Sequence, residues 1–255
     1  MDKYFFDYWN KISNDKIEDN NFKGFYLGNE ACPEFFKKNL DNFLKKAQEL
    51  KEINKKIVLV IPPLFENYFY LLNEIDFSLF DEITVNDFGT LNFLLGNKEK
   101  NKLEIKINIG RLLVKLKTGF ITEEELKELN NFVREEIKEI LVNKKIMNFL
   151  KDKINLMELN PAVQGLNLKR GFEYSIYWPY VLNATTLMCW SNIDNRVIRV
   201  NNCNTLCKKF EGDFLGKNYF LIGNQTLFKN YLPFEEYLKR IKNNDLIKRI
   251  IILNY

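Results

Sequence analysis

Four cysteines are the side chains of this sequence whose type and spacing point most directly to chemistry. Cys203 and Cys207 are separated by three residues, Cys189 precedes them in the same segment, and Cys32 lies far upstream. Cysteine thiolates are the ligands of iron–sulfur clusters and of all-thiolate zinc sites. Three candidate ligands in one segment and a distant fourth favour a cluster. Zinc is an alternative, and so are four ordinary buried thiols, because free cysteine is among the most buried residue types.

The absence of histidine narrows the remaining chemistry. None of the 255 residues is histidine, so a Ser-His-Asp triad, a Cys-His dyad and a histidine-ligated zinc site are all excluded. A general base must be a carboxylate, a lysine, a tyrosine or a cysteine. A metal-dependent peptidase would need a metal held without any imidazole, which makes peptidase activity an unfavourable interpretation of this sequence.

Composition and charge are those of an ordinary globular protein. The chain is 46% hydrophobic and 28% charged, and its net charge of +4 neither requires nor excludes a nucleic-acid partner. The first residues lack the basic start and apolar core of a signal peptide, and no apolar run is long enough to span a membrane. We expect a soluble, cytoplasmic protein whose cysteines do not form structural disulfides.

The elements that must position these side chains alternate between strand and helix. The apolar run IVLVI, followed by two prolines, is typical of a buried parallel strand. Thr122 and Glu125 have the spacing of a capping box, which opens a long predicted helix. Strands are predicted over residues 24–27, 56–61, 82–85, 103–109, 154–159, 219–222 and 249–253, with extended chain over 174–182. Helices are predicted over 36–50, 65–75, 89–95, 123–151 and 234–242.

This alternation indicates parallel βαβ units, and their number favours a (β/α) TIM-like barrel over an open sheet. We expect the barrel to be irregular or incomplete, because residues 160–182 show little helical pattern. The whole chain, residues 1–255, is interpreted as a single barrel-like domain. Residues 1–20, aromatic and polar without clear periodicity, are interpreted as an N-terminal extension.

Polar side chains gather where the predicted strands end, which is where active sites lie in barrels of parallel strands. Glu30, Asp87, Arg111 and Glu158 are the candidate catalytic residues, and Asn108 is expected to face the same pocket. Turns begin at strand ends too, and turns favour polar residues for purely local reasons.

Each candidate has a structural alternative. Arg111 could hold a substrate carboxylate in bidentate fashion, or it could form a surface salt bridge. Glu158 could be a buried partner of a lysine or arginine. Asp87 could simply cap the short helix that follows it.

Several segments resemble, in consistent order, those of a known family. They are YLGNEAC at residues 26–32, VNDFG at 85–89, NIGRLL at 108–113, the extended stretch at 180–189 and FLIGNQT at 220–226. These are similar to segments of the collagenase-like peptidase family (peptidase family U-32), in particular of its short UbiV-type members. The resemblance spans residues 24–228.

The resemblance implies a barrel-like fold and a 4Fe–4S cluster held by Cys32, Cys189, Cys203 and Cys207. It also implies a part in oxygen-independent hydroxylation of ubiquinone precursors or of RNA bases. A related partner subunit is implied as well, because UbiV-type proteins act with UbiU. The alternative is a protein of the same family whose cluster or zinc is structural or redox-sensing, and which has no catalytic activity of its own.

Overall fold

The computed structural model has a closed barrel of eight parallel strands at its centre, which confirms the α/β barrel. It describes residues 1–101, 105–116, 121–138, 140–141, 144–186, 189, 193–194, 197–198, 203, 207, 209–214, 217–230, 232–242 and 244–255. The barrel strands are β1 (Asp2–Asp7), β2 (Gly24–Gly28), β3 (Lys56–Ile61), β4 (Glu82–Val85), β5 (Lys106–Ile109), β8 (Leu156–Leu159), β9 (Glu173–Trp178) and β16 (Ile247–Asn254).

The order around the barrel is β1-β16-β9-β8-β5-β4-β3-β2, and β1 pairs with β2 to close the ring. The first strand corrects the prediction of an extension over residues 1–20. Phe5 packs in the outer core and Phe6 inside the barrel. Because both faces of this strand are apolar, its sequence does not alternate as a half-buried strand does. The barrel is therefore complete, and its irregularity lies in the connections between strands.

The helices cover the outside of the barrel. They are α1 (Asn14–Glu18), α2 (Pro33–Glu52), α3 (Phe88–Asn101), α4 (Glu123–Glu128), α5 (Asn131–Glu136), α6 (Lys144–Leu150) and α7 (Phe234–Ile241), with 3-10 helices at Glu66–Asn73 and Phe77–Leu79. The longest, α2, has Pro33 at its first position and buries Phe36, Leu40, Phe43 and Ala47 along one face. Among the described residues, no helix is long and apolar enough to cross a membrane.

The prediction of one helix over residues 123–151 is wrong. Its capping box is present, because Thr122 and Glu125 bond reciprocally at the start of α4. That helix stops after Glu128, and Asn130 caps a new one by accepting a hydrogen bond from Val133. The short strand β7 (Ile140–Leu141), paired with β6 (Lys115–Leu116), then precedes α6. Local capping thus overrides the apolar periodicity; residues 139, 142 and 143 lie outside the described residues.

An antiparallel sheet leaves the barrel between β9 and α7. Its order is β10 (Tyr180–Thr185), β15 (Gln225–Lys229), β14 (Lys217–Ile222) and β13 (Lys209–Phe214), and a small hairpin of β11 (Ile193–Asp194) and β12 (Val197–Ile198) lies in the same stretch. The strand predicted at residues 219–222 belongs to this sheet and not to the barrel. Because β10 follows directly from β9, the sheet stands at the C-terminal mouth of the barrel.

Candidate functional site

Cys32 is held at the C-terminal end of β2 by a sharp turn and a helix start. Gly28 has φ +118°, and a Cβ there would lie 2.2 Å from the carbonyl oxygen of Val60, so the turn requires glycine. The Oδ1 atom of Asn29 accepts the backbone N–H of Ala31 at 3.0 Å and of Cys32 at 2.7 Å. The Cys32 side chain caps α2, with its sulfur 3.4 Å from the Phe35 nitrogen. The thiol is thereby fixed at the barrel mouth.

Contacts from the antiparallel sheet region bring two more cysteines to this mouth. Lys38, on α2, donates a hydrogen bond to the backbone carbonyl of Cys203. In the turn between β14 and β15, a Cβ on Gly223 would lie 3.7 Å from the Cys207 sulfur. Asn224 in the same turn donates to the Ala31 carbonyl at 2.9 Å, which ties the turn to the loop that carries Cys32.

The electrostatics of the thiols link all four cysteines. Burial raises the pKa of Cys32 to about 11, and the thiolate charges of Cys203 and Cys189 add to the rise. Burial raises the pKa of Cys207 to about 12, and the charges of Cys32, Cys189 and Cys203 contribute smaller rises. Because Coulomb interactions weaken with distance, these mutual effects indicate one neighbourhood. All four cysteines are described, and none forms a disulfide.

The four thiols fit a soft metal centre by their chemistry, but their positions do not form a metal site. In the described part of the chain, no group of three or more histidine, cysteine, aspartate or glutamate side chains is arranged to hold a metal ion. The fit rests on chemistry: four thiols in one neighbourhood are the donors of a cluster or of zinc, and bound metal keeps such thiols ionised despite burial.

A buried ion pair fills the mouth beside this neighbourhood. Arg111 donates from Nε to Glu30 Oε2 at 2.8 Å and from Nη2 to Glu30 Oε1 at 2.6 Å, and both side chains are at most 1% exposed. Nη1 donates to Asn160 Oδ1 at 3.0 Å and to the Tyr180 carbonyl at 2.6 Å. The Glu30 carboxylate raises the pKa of Arg111 although burial opposes it, so the guanidinium stays charged.

Arg111 therefore does hold a carboxylate in bidentate fashion, but that carboxylate is the chain's own Glu30. The remaining N–H on Nη2 faces the Tyr255 hydroxyl at 3.4 Å, and the guanidinium lies 4.2 Å from the centre of the Tyr177 ring. The alternative of a surface salt bridge is wrong, because the pair is buried. A substrate anion at Arg111 stays a prediction and would have to compete with Glu30.

Glu158 lies deeper, inside the barrel. Its carboxylate accepts hydrogen bonds of 2.8 Å from the hydroxyls of Tyr26, Thr84 and Tyr177. Burial raises the pKa of Glu158 to about 7, while the three hydrogen bonds and the charge of Arg249 oppose the rise. No direct bond joins it to a lysine or arginine among the described residues, so its partners are hydroxyls and not the cation that the alternative expected.

The other two candidates have structural roles. Asp87 Oδ1 accepts the Thr90 backbone N–H at 2.7 Å, and Oδ2 accepts the Thr90 hydroxyl at 2.7 Å. Its interpretation as the cap of the following helix is confirmed. Asn108 donates to Glu82 Oε2 at 2.8 Å, and Glu82 in turn pairs with Arg249 at 2.7 Å. Asn108 therefore belongs to a polar network inside the barrel.

Two tyrosines of the mouth were missed from the sequence. Tyr8 follows β1, and Tyr255 follows β16. The Tyr255 hydroxyl lies 3.0 Å from Glu30 Oε1 and 3.1 Å from Gln225 Oε1, and its ring packs 5.1 Å from that of Tyr8. Tyr4 and Phe6, two residues apart, pack inside the barrel, whereas Tyr8 packs with the outer core, so strand alternation does not predict its place.

The fold and site define a class: a closed α/β barrel with cysteines and a buried ion pair at its C-terminal mouth. No family model matches this sequence, and no curated protein matches it.

Proposed function

We propose that this protein is a UbiV-type member of the collagenase-like peptidase family that binds a 4Fe–4S cluster through Cys32, Cys189, Cys203 and Cys207. The observation that carries the proposal is the convergence of the cysteine segments. Asn224 bonds to the loop of Cys32, and Lys38 bonds to the backbone of Cys203. In a chain without histidine, these four cysteine thiols are the side chains best suited to bind a soft metal.

A bound cluster would supply one-electron chemistry next to the barrel mouth. The chain's own residues would position and shield that chemistry. Glu30 and Arg111 hold each other at the mouth, and the Tyr255 hydroxyl contacts the same carboxylate. The ion pair is proposed as the boundary of a substrate pocket, with Glu30 and Arg111 as its polar groups.

The proposed activity is oxygen-independent hydroxylation of a small aromatic or quinone precursor, or of an RNA base, with a related partner subunit. Its support is the resemblance of residues 24–228 to UbiV-type proteins, together with the thiols at the mouth. A strain lacking the gene is expected to accumulate a substrate that lacks one hydroxyl group. If neither the quinone pool nor the modified nucleosides change, the hydroxylase part of the proposal fails.

The cluster part is tested by cysteine variants purified without oxygen. We expect a brown wild-type protein and loss of its visible absorption in Cys203→Ala. The matched control is Ser175→Ala, which removes a buried hydroxyl that lacks a hydrogen-bond partner among the described residues. That variant should keep the full absorption. A colourless wild-type protein with one zinc per chain would favour the structural alternative, and a protein with neither metal would refute both.

A further inference from the structure

Tyr8 presents a buried hydroxyl to the cysteine neighbourhood without a partner of its own. The residue is 1% exposed, and its hydroxyl has no hydrogen-bond partner among the described residues. A Cβ on Gly223 would lie 2.6 Å from this hydroxyl and 3.7 Å from the Cys207 sulfur, so both atoms face the same turn.

The Tyr8 ring is held on several sides, so its hydroxyl has little freedom to turn elsewhere. Ring centres lie 4.9 Å away at Trp9, 5.9 Å at Phe35 and 5.1 Å at Tyr255. These contacts fix the ring and therefore the position of the hydroxyl oxygen.

A second buried donor, the side-chain amide of Asn29, lies in the loop that carries Cys32. Its Oδ1 is used by the N–H groups of Ala31 and Cys32, which fixes the orientation of the amide. Its Nδ2 is buried and has no hydrogen-bond partner among the described residues.

A buried donor without an acceptor is costly in a protein interior. The Tyr8 hydroxyl lies at the same turn as the Cys207 sulfur, which is an acceptor once ionised. We propose that Tyr8 donates a hydrogen bond to a sulfur of the metal centre and thereby raises its reduction potential. This inference rests on the proposed cluster. Donors to cluster sulfurs stabilise the more negative, reduced state, which is how such groups set the potential.

The test is a redox titration of the anaerobically purified protein, followed by visible absorption and electron paramagnetic resonance. In Tyr8→Phe the midpoint reduction potential of the cluster should become more negative. At a fixed applied potential, the ratio of reduced to oxidised cluster should therefore fall at least about threefold relative to the wild type.

The matched control is Tyr237→Phe, which removes another fully buried tyrosine hydroxyl, one that accepts from the Ala162 nitrogen away from the cysteines. Its midpoint should equal that of the wild type. The titration reads only loaded sites, so a partial loss of cluster does not obscure the shift. An unchanged midpoint in Tyr8→Phe would overturn this inference and leave the cluster proposal intact. A wild-type protein without any cluster would overturn both.

Discussion

The barrel interior offers a quantitative test at Glu158, because a carboxylate is enclosed there with only neutral hydroxyls bonded to it. The substitution Glu158→Gln keeps the size and shape of the side chain and removes its ability to ionise. The amide oxygen can accept from Tyr26 and Thr84, and the Tyr177 hydroxyl can accept a hydrogen bond as well as donate one. The variant should therefore fold into the same barrel.

The expected magnitude follows from the pKa of Glu158, which burial raises from 4.5 to about 7. A shift of this size corresponds to about 3 kcal/mol between the two protonation states. The folded pKa lies above the unfolded pKa, so the folded state binds the proton more tightly. The stability from the protonated carboxyl is fully present below about pH 4.5, is lost as the pH rises through about 7, and stays absent above it.

The assay is denaturant unfolding of the wild type and Glu158→Gln over a series of pH values, with the difference in free energy of unfolding plotted against pH. The variant should gain up to about 3 kcal/mol relative to the wild type between acidic and mildly alkaline pH. Glu52→Gln, an exposed position at the end of α2, should follow the wild-type profile. A flat difference plot for Glu158→Gln would refute the reasoning, because it would mean that this carboxyl does not titrate in the window.

Two further substitutions test the buried ion pair and the glycine turn at the barrel mouth. Arg111→Met leaves Glu30 buried without its cation and should lower the free energy of unfolding by about 3–5 kcal/mol in denaturant titrations; a loss below about 1 kcal/mol would contradict a buried, tightly coupled pair. Gly28→Ala places a Cβ 2.2 Å from the Val60 carbonyl oxygen at a φ of +118°. The melting temperature should therefore fall by more than about 4 °C. An unchanged melting temperature would show that this turn does not require glycine.

Local sequence signals gave much of the barrel. The strands over Lys56–Ile61 and Glu82–Val85 have the bounds that were predicted, since each is a short apolar run with turn residues after it. The strand at Asp2–Asp7 was missed because it is buried on both faces and has no polar alternation. The long helix was overpredicted because its apolar spacing continues through Leu129, where the backbone turns extended.

The sequence predicted which residues lie at the barrel mouth but not which of them bond to each other. Strand ends correctly located Glu30 and Arg111 at the mouth, because parallel strands in a barrel share one C-terminal face. Nothing local shows that these two residues, 81 positions apart, bond to each other. Glu158 was placed at the strand end for the same reason, but its side chain points into the barrel, which depends on register and not on position alone.

The central claim is that the four cysteines hold an iron–sulfur cluster, and its most direct test is the metal and sulfide content of protein prepared without oxygen. We expect iron and acid-labile sulfide in equal amounts, at about four of each per chain, and loss of both in Cys203→Ala. Protein prepared in this way with no iron, or with zinc in its place, would contradict it.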